Sequence, residues 1–194
     1  LAADADGRDP DILALGRAPE DYRSCALVER PNGDWAYTVA RHWLADTAET
    51  ARLEWLAASG WPELAGAAAA PLREQAWHVR HAEEWVGRLA AAGGEAVARL
   101  RAALERALPE APGLFAPSVG EDTLVADGTL PCASAAVLAA WRARRRADLD
   151  GWGLGELGGL LDAEPGDRTA RTPEFAPLWE ELTGLHRAHP GAAW

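Results

Sequence analysis

From Trp35 to Ala58 nothing interrupts a helix, because the run WAYTVARHWLADTAETARLEWLAA holds neither glycine nor proline. Trp35, Val39, Trp43, Asp46, Leu53 and Leu56/Ala57 share one face of it, at spacings of three, four or seven. The residues just before it, LVERPNGD, carry a competing signal. Asn32-Gly33 is a strong hairpin cue, since both residues tolerate the positive φ of a type I′ turn. No alternating strand pattern follows, so the pair reads as a bend that delivers Asp34 as the helix N-cap. Gly60 ends the helix.

The same period recurs along the chain, and strand signals are nearly absent. A second helical run covers 62–92 and stops at Gly93-Gly94. Pro71 inside it removes a backbone donor and clashes with the preceding turn, which predicts a kink or two helices meeting there. Leu72, Ala76, Val79, Val86 and Leu89 form the apolar stripe of its second part. A third helix is expected over 95–108. The stretch 109–131 is rich in Pro, Gly and Asp, and reads as a long surface connection with brief extended pieces around 123–126. Helices follow at 133–149 and 174–186, the last behind a Thr172-Pro173 N-cap and N1 pair. Between them, loops at 151–159 and 164–171 flank a Leu-rich turn. Upstream, an acidic segment covers 1–16, and Pro19 opens a short helix ending near Glu29. The pattern predicts one all-α domain with antiparallel neighbours.

With 194 residues, 48% of them hydrophobic and 25% charged, the chain is long enough for a real core and is not globally disordered. A formal net charge of -11 argues against unaided nucleic-acid binding, because phosphates would be repelled. No stretch approaches the roughly 20 apolar residues that cross a bilayer. Cys25 and Cys132 are too few and too far apart for a disulfide framework or a zinc site. A cytoplasmic protein with reduced thiols is expected, and no signal peptide is visible. The chain begins at Leu1 rather than Met, so an N-terminal segment is expected to be lost or left out. Ten Trp against two Phe and two Tyr point to indoles as fillers of core and interface.

Two constellations carry polar chemistry. Asp46 lies on the apolar face of its helix, with His42 one turn before and Glu49 one turn after. A carboxylate there needs a metal or a partner, such as an Arg or a Trp indole of a neighbouring helix. Glu74, His78 and His81 share one side of the next long helix. Di-iron bundles use Glu-x-x-His pairs, whose spacing of three aims both side chains at one point. Here the spacing is Glu74-x-x-x-His78, so the motif is present in outline and wrong in detail. Asp46, Glu74 and His78 are therefore candidates for degenerate metal-site positions. Arg142, Arg144, Arg145 and Arg146 form a basic run, normally a solvated helix face and otherwise an anion, CoA-phosphate or partner contact. His186 and His189 are expected at the surface.

Three blocks taken together, LVERPNGDWAYTVARHWLAD, REQAWHVRHAEEWVGRL and the chain end RAHPGAAW, resemble the C subunit of the multicomponent phenylacetyl-CoA epoxidase, the PaaC family of phenylacetic acid degradation proteins. The matching family patterns are LLVEQPNGxFAxTIxRQ, KExxYHLRxSxxW and PGxxW, in the same order. The resemblance implies a ferritin-like antiparallel helical bundle. It implies a non-catalytic, structural subunit that has lost its metal ligands and binds no cofactor itself. Its partners are a homologous catalytic subunit, which carries the di-iron centre and most of the phenylacetyl-CoA site, and further subunits of the complex. The complex epoxidises the aromatic ring with oxygen and electrons from a reductase, in aerobic phenylacetate degradation. Asp46 falls where a bundle helix of the active relatives would offer a carboxylate.

The chain departs from the family in two places. The family pattern GxxGxHTExL reads here GDRTARTPEF, from Gly166 to Phe175, with Arg171 in place of the histidine, and the EMQ that follows is Glu181-Leu182-Thr183. Two long helices that normally precede the first block are absent, so the expected fold is an N-terminally incomplete bundle with extra C-terminal helices. The helices at 34–59 and 72–89 then make half a bundle. Their apolar face, with Trp35, Val39, Trp43 and Leu53, calls for a partner chain or leaves a poorly stable monomer. Besides the interaction subunit, two other readings of the residues stand: a di-metal carboxylate oxidoreductase with Asp46, Glu74 and His78 as ligands, and an unrelated helical interaction module.

Overall fold

The computed structural model describes residues 7, 9–189, 191 and 192. Every regular element among them is helical. Helix α1 (Pro10–Leu15) starts at Asp9, whose carboxylate accepts from the Asp11 amide at 2.8 Å. The short helix expected over 19–29 is split into a 3-10 turn, Pro19–Asp21, and α2 (Ala26–Glu29). Then come α3 (Trp35–Ala57), α4 (Pro62–Ala69), α5 (Leu72–Ala92), α6 (Gly94–Ala107), α7 (Glu121–Ala126), α8 (Ser134–Gly151) and α9 (Phe175–Ala188). Two further 3-10 segments lie at Ala111–Phe115 and Gly155–Asp162.

The bend before α3 forms as its sequence requires. Gly33 takes φ 65°, and the Asn32 carbonyl accepts from the Thr38 hydroxyl at 2.8 Å. Asp34 then caps the helix by accepting from the Tyr37 amide at 2.9 Å. At the other end, the Gly60 amide donates to the Thr129 carbonyl at 3.2 Å, and a side chain on Gly60 would stand 2.2 Å from the Gly128 carbonyl oxygen. Close backbone approach therefore fixes glycine at this helix stop. Pro71 separates α4 from α5, so two helices meet there. Gly93 and Gly94, with φ of 67° and 54°, turn α5 back into α6.

Helix α3 is the axis of the fold. It packs against α4, α5, α6, α8 and the 111–115 turn. Trp35 meets Trp85 at 5.3 Å near one end and Asp46 faces His78 further along, so α3 and α5 run antiparallel. Of the expected apolar face of α3, Val39, Trp43 and Leu53 are buried. The remainder differs: Trp35 is 50% exposed and Asp46 is half-buried. Trp43 needs no second chain to cover it, because Trp152 packs on it at 5.1 Å and Arg145 of α8 lies over its ring. On α5, Val86 and Ala82 are buried and Leu72, Val79 and Leu89 half-buried, while Ala76 of the expected stripe is exposed.

The stretch 109–131 is a surface connection only in part, exposed at 117–120 and 126–128 but buried over most of 111–116, and it is helical rather than extended at 123–126. Ala111, Pro112, Leu114, Phe115 and Ala116 are buried, and Phe115 packs on Trp141 at 5.2 Å. Residues 121–126 are the helix α7. Its buried Glu121 accepts from the Ser134 amide at 2.8 Å and the Ser134 hydroxyl at 2.9 Å. It thereby places a carboxylate at the positive end of α8, where the orphan amides need an acceptor. Helix α9 begins at Phe175, one residue later than Thr172-Pro173 predicts, behind Glu174, and the Thr172 amide donates to Glu29 at 2.8 Å. Of the C-terminal PGAAW block, Pro190, Ala193 and Trp194 lie outside the described residues, as do residues 1–6 and 8 of the acidic N-terminal segment.

Candidate functional site

The antiparallel pair α3 and α5 leaves an open cavity of about 380 Å³. Trp35, His42 and Asp46 line it from α3, and Trp77, His78 and His81 from α5. The helical period explains the gathering. Residues 35, 42 and 46 fall on one stripe of α3, and 77, 78 and 81 on the facing stripe of α5. Only Asp46 in this set is a carboxylate, with its side chain 19% exposed, whereas the three histidines and both tryptophans stand toward solvent.

Burial pushes the Asp46 carboxyl above its ordinary range. His42, His78 and His81 pull it back down, and Glu49 adds to the rise. The nearest partner is His42, with Nδ1 3.8 Å from Oδ2, too long for a hydrogen bond. Among the described residues no donor bonds the Asp46 carboxylate. The sequence points to an Arg or a Trp indole as its partner; the structure gives a loose ring of imidazoles instead, because α5 presents histidines at this level.

Asp46 is the one carboxylate in the cavity lining among the described residues, where a dinuclear iron centre takes bridging carboxylates from several helices. Glu74 is exposed and lies outside the cavity lining, so Asp46 and His78 are brought together without it. No three His, Cys, Asp or Glu side chains among the described residues converge as a metal site.

The arginine run is occupied within the fold. Arg142 donates to the Ala163 carbonyl at 2.7 Å, and Arg144 stands 3.8 Å from Glu54. Arg145 pairs with Asp148 at 2.8 Å, and Arg146 with Asp162. His189 is exposed and His186 half-buried.

Sequence reasoning missed a second polar cluster. Buried Glu29 accepts from the Thr172 amide and sits 3.8 Å from Arg171. Arg30 reaches Glu110 at 2.8 Å and Glu174 at 3.0 Å. Arg171 also donates to the Tyr22 carbonyl and lies 4.2 Å over the Phe175 ring. Glu29 and Arg30 thus tie the segment before α9 to the helical core. Their adjacency just before the Asn-Gly bend was the available signal.

These features define an all-helical protein with an open Asp–His–Trp cavity between its two longest helices and no complete metal-ligand set among its described residues. Comparison of sequences is more specific. The profile of the family described as Phenylacetic acid catabolic protein matches residues 1–194. The chain is also 27% identical over 186 residues to the C subunit of the 1,2-phenylacetyl-CoA epoxidase of Escherichia coli (strain K12), a match covering 96% of this chain and 75% of that protein. The chain belongs to the phenylacetic acid catabolic protein family, whose field is phenylacetate catabolism.

The unbonded state of Asp46 gives a first prediction. A carboxyl whose folded-state pKa lies above its unfolded one favours the fold when protonated, and that contribution is lost as pH rises through the folded pKa. Asp46→Asn therefore raises the melting temperature at pH 8, by on the order of 1–3 °C. The gain shrinks as pH falls through the raised folded-state pKa of Asp46, where the wild-type carboxyl itself becomes neutral. A variant that melts below wild type at pH 8 would reveal a stabilising partner for Asp46.

Proposed function

We propose that this chain is a non-catalytic, structural subunit of a multicomponent di-iron oxygenase that epoxidises phenylacetyl-CoA. A homologous partner subunit holds the di-iron centre and most of the substrate site, and this chain stabilises it. The observation that supports the reading is the spacing at the cavity: Asp46 and His78 face each other, while Glu74, four residues before His78 instead of three, stays outside the lining. The similarity to a protein whose name makes it an epoxidase C subunit supplies the reaction and the partners. Ferritin-like packing and a cytoplasmic location are parts of the same proposal. They are supported by the antiparallel α3–α5–α6 arrangement and by the lack, among the described residues, of any helix long and apolar enough to cross a membrane.

Metal analysis and co-purification test it together. The chain expressed alone is expected to bind iron far below stoichiometry, and to form a stable complex when co-expressed with a catalytic homologue encoded nearby. About two irons per chain, lost on Glu74→Ala, would instead make it a di-metal oxidoreductase in its own right.

A further inference from the structure

We draw no further inference here: the strongest candidate, the apolar cavity between α1 and α9 lined by Tyr22, Phe175, Trp179 and Leu182, is an unpartnered face, and nothing in the structure shows what covers it.

Discussion

Trp43→Ala lowers the stability of the isolated chain by about 4 kcal/mol, within the range for emptying a buried aromatic site. For a chain of this size that corresponds to a fall in melting temperature of roughly 8–16 °C. The magnitude follows from where Trp43 sits. It is fully buried at the middle of α3, with Trp152 edge-on at 5.1 Å and the Arg145 guanidinium over its ring. Arg145 is itself buried, and burial pulls its pKa down while Asp148 and Glu83 oppose the shift. Removing the indole therefore opens a cavity and strips one face from a buried cation. Trp43→Phe separates the two effects. It keeps most of the volume and removes an indole N–H that finds no partner among the described residues, so its cost is about 1–2 kcal/mol. A Trp43→Ala chain that melts within about 3 °C of wild type would mean that α3 is not the axis of the core.

Trp43 also shows which part of the fold the sequence makes legible. The helical period assigned it to an apolar face, and it is buried there. The period could not say what covers that face, because the cover comes from Trp152 and Arg145, a hundred residues or so along the chain. Pro71 and Gly93-Gly94 were legible for a local reason: ring sterics and positive φ act within one turn. The buried turn Ala111–Phe115 was not, because Pro112 and Gly113 mark a loop equally well whether or not Phe115 finds Trp141 beneath it. At the candidate site, the sequence brought out Asp46 and His78, and the structure sets them across one cavity. It could not place Glu74, since a residue one turn before His78 can lie on either flank of the stripe. Glu29 and Arg171 went unseen as a pair because 142 positions separate them, and nothing in local spacing encodes such a contact.

Glu29→Ala detaches the C-terminal segment from the helical core. Glu29 is 3% exposed, yet one of its carboxylate oxygens accepts from the Thr172 amide at 2.8 Å and the other faces Arg171 at 3.8 Å. Truncation leaves the Thr172 amide unbonded and the Arg171 guanidinium, only 21% exposed, without its counter-charge. Breaking one side of such a buried pair costs about 3–5 kcal/mol when the rest of the protein stays in place. Here the segment is held otherwise by Arg30 to Glu110 and Glu174, by the Ser24 amide on the Arg168 carbonyl at 3.1 Å, and by Arg171 on the Tyr22 carbonyl. Detachment is then easier than carrying an uncompensated buried charge, so the loss appears as local opening before global unfolding. Limited proteolysis is expected to cut the variant between residues 164 and 173 at least tenfold faster than wild type, with amide exchange rising across α9 and unchanged in α3. Glu29→Gln retains an acceptor for Thr172 but no charge, and falls between the two. Cleavage of Glu29→Ala at the wild-type rate would show that Arg30 and the Phe175 side alone hold α9, and that Glu29 carries no share of the latch.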